Sequence, residues 1–148
     1  MREILFRGKD PETGTWYEGF YMALSDTTYC FRGDYDAHPD NTKHYIVFDR
    51  MTDWGLPNQH LRADADPSTV GQYTGLKDKH GKRIFEGDIV KTDKFSEPNK
   101  QYIIKYDLQF GAFIGQDIYN VYFVTFDGDS GEFEVIGNIT DNHELLEK

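Results

Sequence analysis

The sequence is short of the features that announce most functions. It has a single cysteine, Cys30, so no disulfide forms within the chain, which suits a reducing compartment. No motif supplies the base that a catalytic thiol needs, and Cys30 reads as a small, buried or half-buried hydrophobe. No apolar run approaches the roughly 20 residues of a membrane helix. The start, Met1-Arg2-Glu3-Ile4-Leu5-Phe6-Arg7, lacks the apolar centre of a signal peptide. The expected location is therefore the cytoplasm. There is no Gly-x-Ser-x-Gly, no phosphate loop and no dinucleotide fingerprint, so no nucleophile elbow and no cofactor is implied. Positive charge is scarce as well. The net charge of −10 disfavours loose binding to phosphate backbones by bulk attraction. It leaves room for a surface that mimics nucleic acid or docks on a basic protein.

What is abundant is aromatic. Eleven Phe, ten Tyr and two Trp make up 16% of 148 residues. Such side chains fit a pleated surface, and turn signals recur at short spacing, so the chain reads as all-β. Ile4 to Arg7 and Trp16 to Tyr21 form a hairpin around the turn Asp10-Pro11-Glu12-Thr13-Gly14, where Pro presets φ and Gly permits a positive one. Thr27 to Phe31 and Tyr45 to Phe48 are further strand candidates, with a polar loop over Gly33 to Asn41 between them. Met51 to Asp66 carries the weakest signal: Asp53 to Asn58 reads as loop and Asp64 to Pro67 as a linker. Val70 to Leu76 and Ile84 to Val90 flank a His80-Gly81 turn. A polar loop covers Asp93 to Gln101. Strands follow at Tyr102 to Tyr106, Ala112 to Ile114, Tyr119 to Phe126 and Phe133 to Ile139, with a turn at Asp127 to Gly131. Thr140 or Asp141 is placed to cap a short helix over Asn142 to Glu147, with Glu144 completing a capping box if Asp141 is the cap. Five or six short strands over ~80 residues is the size of a small SH3-type barrel.

Several constellations resemble chemistry without completing it. His38 and His44 sit near Asp34, Asp36 and Asp40, but Pro39 interrupts them and the spacing matches no zinc pattern. The same run fails as a calcium loop, because Pro39 and Tyr45 stand where Gly and Glu are needed. Asp127, Asp129 and Glu132 read more simply as a hairpin turn. Paired carboxylates are always available among 26 acidic residues, which keeps a carboxylate-based hydrolase, with or without a metal, as an alternative. The aromatics of Trp16, Tyr17, Tyr21, Trp54 and the Tyr119-Tyr122-Phe123-Phe126 set read as core. Val121 to Phe126 is apolar on both faces, so it needs a second layer, from this chain or from another subunit.

One run stands out: Val70-Gly71-Gln72-Tyr73-Thr74-Gly75-Leu76-Lys77-Asp78-Lys79-His80-Gly81-Lys82-Arg83-Ile84-Phe85-Glu86-Gly87-Asp88-Ile89-Val90. It resembles the hallmark of the YopX family of phage and prophage proteins. The opening Arg2 to Arg7 and the closing Val135 to Ile139 with Asn142 to Leu146 are similar to that family's ends. The resemblance implies an SH3-type β-barrel for the second half, with a smaller β-rich N-terminal part, and a phage or prophage origin. It implies no activity. Read physically, Gly75, Gly81 and Gly87 serve turns or bulges, and Asp78 and Asp88 are acids whose side chains bond nearby backbone amides.

The expected architecture is an all-β chain with an N-terminal β-hairpin region over residues 1–66 and an SH3-like β-barrel over residues 67–148, closed by one short C-terminal helix. The candidate recognition surface is Tyr73, Lys77, Lys79, Lys82, Arg83 and Phe85, where aromatic faces and local positive charge suit a nucleic-acid strand or an acidic peptide. The expected function is non-enzymatic: a phage or prophage accessory protein in the bacterial cytoplasm that binds a host or phage macromolecule, protein ahead of nucleic acid. A self-assembling structural protein is the other alternative, and a homo-oligomer is compatible with either.

Overall fold

A computed structural model of the chain describes residues 2–92, 100–119, 123–125 and 132–147. The chain divides into two compact units, Leu5–Val70 and Met1–Ile4 with Gly71–Lys148. Both are built of antiparallel strands. Among the described residues, no helix is long and apolar enough to cross a membrane.

The Leu5–Val70 unit holds four strands: β1 (Phe6–Lys9), β2 (Trp16–Ser25), β3 (Thr42–Met51) and β4 (Pro57–Asp64). They pair in the order β4-β3-β2-β1. The first hairpin forms as its turn chemistry dictates. Asp10 accepts the amides of Glu12 and Thr13 on Oδ1, and Gly14 takes φ +68°. One face of the sheet carries its core. Ile46, Ala63 and Ala65 are buried there, the rings of Tyr17 and Phe48 stack at 5.1 Å, and Phe6 meets Tyr21 at 5.8 Å.

Two expectations for this unit fail, each for a reason of pairing. Thr27 to Phe31 is not a strand. Strands β2 and β3 pair directly as far as Ser25 and Thr42, so residues 26–41 form an excursion beyond the end of the sheet, where no partner strand lies among the described residues. The amide of Asp26 closes its neck by donating to the Asn41 carbonyl at 3.0 Å. The excursion folds into a short helix, α1 (Arg32–Asp36), and a 3-10 turn over Pro39–Asn41. In the opposite sense, β4 forms over Pro57–Asp64, between the expected loop and linker, where no strand was expected. Its side chains are mostly exposed, and Pro57 opens it at the sheet's edge, where a missing donor costs little.

The second unit begins with the hairpin β5 (Gly71–Lys77) and β6 (Arg83–Phe85). Next come β7 (Asp88–Thr92), β8 (Lys100–Asp107), β9 (Ala112–Asp117), β10 (Phe123–Thr125) and β11 (Phe133–Asn138). Strands β7 to β10 meander, and β11 returns to pair with β7, giving the order β10-β9-β8-β7-β11. Among the described residues the closed barrel is not formed: β10 and β11 are the two ends of this sheet and do not pair. Ile84 of β6 instead joins Val90, Tyr102, Ile104, Val124 and Phe133 in one buried cluster. The run Ile84 to Val90 breaks into two strands at Gly87, which takes φ +84°.

The C-terminal helix is a 3-10 turn over His143–Leu145, and neither Thr140 nor Asp141 caps it. Asn142 occupies the cap position, but its side chain is engaged elsewhere. Its Oδ1 accepts the Asn138 amide at 3.2 Å and its Nδ2 donates to Glu144 at 3.0 Å. The loop expected over Asp93 to Gln101 and the turn over Asp127 to Gly131 fall mainly on residues 93–99 and 127–131, outside the described residues. In the aromatic strand, Val124 is buried and Thr125 exposed, while residues 120–122 and 126 lie outside as well.

Gly19 on β2 sits against β3 with no room for a side chain. A Cβ there would lie 2.1 Å from the carbonyl oxygen of Val47. Gly19→Ala is expected to lower the stability of the Leu5–Val70 unit by about 1–3 kcal/mol, the usual cost of overpacking. Urea unfolding followed by Trp fluorescence measures it, since both Trp16 and Trp54 lie in that unit.

Candidate functional site

The conspicuous run folds into the β5–β6 hairpin and the turn that follows it. Its register shifts between Tyr73, opposite Phe85, and Lys77, opposite Arg83. The extra residues form a bulge with Gly75 at φ +89°. The Thr74 hydroxyl bridges it, donating to the Ile84 carbonyl at 2.8 Å and accepting the Leu76 amide at 3.2 Å. Beyond β6, Asp88 is almost wholly buried and accepts the Phe85 amide on Oδ2 at 2.8 Å.

The tip of the hairpin is organised by Asp78, which is 6% exposed. Its Oδ1 accepts the amides of His80 and Lys82, both at 2.9 Å. Its Oδ2 accepts the amide of Val135, 57 residues away on β11, at 3.1 Å. The neighbouring Lys79 amide donates to the Phe133 carbonyl at 2.9 Å. The hairpin tip thus covers part of the open edge of β11 by backbone-directed bonds. Burial pushes the Asp78 carboxyl up, but the amides of Val135, Lys82 and His80 together outweigh it and hold the group below its ordinary value.

The six candidate residues separate into two sets. Tyr73 and Phe85 are 4% and 2% exposed, with ring centroids 5.5 Å apart. Neither presents a face on which a base could stack. Lys77, Lys79 and Lys82 are exposed, and Arg83 is half-buried. The Arg83 guanidinium lies 5.7 Å from the Tyr73 ring centroid and reaches Glu3 at 3.5 Å. Lys79 Nζ pairs with Glu134 Oε2 at 2.5 Å, and Lys91 Nζ meets the same oxygen at 3.3 Å. His80 Nε2 is 3.8 Å from the other oxygen. The Lys79 ammonium above all, joined by Lys91, holds the Glu134 carboxyl below the ordinary range. The result is a basic patch of Lys77, Lys79, Lys82, Arg83 and Lys91, shared with the carboxylates of Glu3 and Glu134; Glu132 stands one residue before β11.

Sequence reasoning did not include Lys91, Glu134 or Glu3. Lys91 and Glu134 face one another only because β7 pairs with β11, a contact across 43 positions that no local pattern announces.

The other constellations are drawn apart by the fold. His38 Nδ1 bonds the Asp34 carbonyl oxygen at 2.7 Å, whereas His44 Nδ1 bonds the Tyr21 hydroxyl at 2.6 Å. Among the described residues, no group of three His, Cys, Asp or Glu is placed to hold a metal ion. Cys30 is exposed rather than buried or half-buried. Trp54, expected in the core, is 90% exposed at the β3–β4 turn.

Residues 5–147 match the family described as YopX protein, and the chain belongs to that family. Among solved structures it is similar to protein EF1440 from Enterococcus faecalis, at 24% identity and a TM-score of 0.50, over 99% of this chain and 100% of that one. That likeness is one of fold. No protein with a curated description matches.

Asp78→Asn keeps the shape of the side chain but sets an amide group against backbone N–H donors. It is expected to cost about 1–3 kcal/mol, the range for leaving a buried partner unsatisfied. The wild-type carboxyl has a depressed pKa, so its stabilisation is complete above the ordinary value of 3.8 and is lost as pH falls through the folded value. Urea melts at pH 7 and pH 3 are therefore expected to show a smaller loss on acidification in the variant than in the wild type.

Proposed function

We propose that this YopX protein is a non-catalytic binding protein of phage or prophage origin, acting in the bacterial cytoplasm, that docks an acidic segment of a host or phage protein on the tip of the β5–β6 hairpin. The observation that carries this reading is a contrast of charge. Lys77, Lys79, Lys82, Arg83 and Lys91 gather on one small surface of a chain whose net charge is −10. Lys77 and Lys82 project into solvent and have no ion-pair partner among the described residues.

The burial of Tyr73 and Phe85 favours protein over nucleic acid. A single-strand platform needs exposed aromatic faces for its bases, and here the rings serve the core. Lysine and arginine remain, and these recognise carboxylates without stacking. An SH3-like arrangement of the second unit belongs to the same reading. What supports it is the meander from β7 to β10 with β11 returning beside β7, the order expected of such a small barrel with the seam between β10 and β11 left open.

The test is a tagged pull-down from host lysate, with and without nuclease, comparing the wild type with the double variant Lys77→Glu, Lys82→Glu. Both positions are exposed, so the fold is expected to be unchanged by circular dichroism. A partner that resists nuclease, falls by about tenfold or more in recovery with the variant, and weakens as salt rises is the expected result. Equal recovery by the variant would show that the patch is not the contact. Loss on nuclease treatment would transfer the reading to nucleic acid.

A further inference from the structure

The sheet of the Leu5–Val70 unit has a second face. Tyr21, Ile46 and Ala63 share the core face, since they are cross-strand partners on β2, β3 and β4. Side chains alternate along a strand, so the residues beside them point the other way. There the register sets Phe20, Val47 and Arg62 in one row and Met22, Tyr45 and Asp64 in the next. Leu24 lies opposite Lys43 beyond them. Phe20 is 65% exposed and Leu24 49%, while Met22, Tyr45 and Val47 are half-buried. An apolar patch on the two middle strands, with charge along its margin, has the anatomy of a protein interface.

The charges indicate what covers this patch. Arg62 and Asp64 are both exposed, and neither has an ion-pair partner among the described residues. The Arg62 guanidinium is held on this face, 4.7 Å from the Tyr45 ring centroid. A partner of one sign would satisfy one of the two and oppose the other, whereas a second copy supplies both signs. Two sheets pack face to face with their strands roughly aligned. A two-fold axis between them can run along the strands or across them. An axis along the strands, between β2 and β3, sets Leu24 over Lys43 and carries Arg62 and Asp64 away from one another. An axis across the strands, between the two rows, keeps each strand over its own copy and exchanges the rows. Phe20 then lies over Met22, Val47 over Tyr45 and Arg62 over Asp64, each contact occurring twice. Lys43 and Asp49, the next residues on this face toward the two ends of β3, exchange in the same way. At the solvent margin of β2 the exchange brings Leu24 over Glu18.

We propose that the protein pairs with a second copy of itself through this face, sheet against sheet, on a two-fold axis that crosses β2 and β3 between the Phe20–Val47 and Met22–Tyr45 rows. The interface is isologous, so one face supplies both halves of every contact. Phe20, Met22, Tyr45 and Val47 supply its apolar centre, where removal from water drives association. The two Arg62–Asp64 pairs at its margin select this setting over the alternative, since matched charges fix orientation and like charges oppose contact. This inference is independent of the basic hairpin tip, which belongs to the other unit.

Sedimentation equilibrium of the full chain over a range of concentrations tests it. The wild type is expected to form a reversible dimer. Phe20→Asp buries a charge at the apolar centre twice over, and is expected to raise the dimer dissociation constant by about tenfold or more. Arg62→Asp sets like charges against each other twice and is expected to weaken the dimer as well. Adding Asp64→Arg restores complementarity, and that double variant is expected to dimerise again. All three positions are exposed, and circular dichroism checks that each variant is folded. Leu108→Asp, at an exposed apolar residue of the β8–β9 turn, is expected to leave the dissociation constant unchanged. A wild type that stays monomeric at its highest soluble concentration overturns the proposal. So does a dimer that Phe20→Asp leaves intact, or one that Leu108→Asp weakens as much. Failure of Asp64→Arg to rescue Arg62→Asp overturns the two-fold setting.

Discussion

The carboxylate of Asp78 is the constraint on which the second unit's organisation rests. Three amides converge on it, two from the turn that it begins and one from β11. A carboxylate is suited to this place because both its oxygens only accept, so neither presents a hydrogen of its own to the converging N–H donors. Burial disfavours the charge, and the convergent N–H dipoles more than offset that cost. The same residue therefore shapes the hairpin tip and covers part of the edge of β11, which the open sheet would otherwise leave exposed. It also decides what the tip displays. With the Lys79 backbone tied to Phe133, the Lys79 side chain is delivered to Glu134, where Lys91 already stands.

The next turn repeats the device with a different geometry. Asp88 accepts the Phe85 amide, and Gly87 links three elements through its own backbone. Its amide donates to the Ile104 carbonyl and its carbonyl accepts the Ile139 amide, both at 2.9 Å. A side chain at Gly87 would have to adopt a left-handed conformation that L residues disfavour. These backbone ties hold the hairpin against β8 and the C-terminal segment. A contact surface fixed in this way loses little conformational freedom when a partner docks, which favours affinity from a small patch.

Much of the fold was legible because local chemistry carried it. The Asp10 to Gly14 turn, most strand positions and the roles of Asp78 and Asp88 follow from residue type and short spacing. The misses share a cause: they depend on what lies opposite. Thr27 to Phe31 has strand-like residues but no neighbouring strand to pair with. Strand β4 has a neighbour, but as an edge strand its exposed residues show no apolar alternation. The site was half legible for a related reason. In a regular strand Tyr73 and Lys77 would share a face. The bulge at Gly75 breaks that alternation, so the tyrosine turns inward and the lysine outward. Composition alone presented the rings and the cations as one surface, whereas the fold assigns the rings to the core and the cations to solvent.

That separation changes the electrostatic argument. Net charge governs interactions at long range, and at physiological ionic strength these fade within about 8 Å. Contact energies depend on the groups within that distance. A long polyanion such as a nucleic acid presents a repeating charge along its whole length, and on this chain it would meet many carboxylates beyond the hairpin tip. A short acidic segment of a protein can engage Lys77, Lys79, Lys82, Arg83 and Lys91 while the rest of its partner carries any charge. On the proposed reading, the chain's overall acidity acts as a filter. It opposes indiscriminate binding to polyanions and leaves the local patch available to a ligand small enough to touch little else.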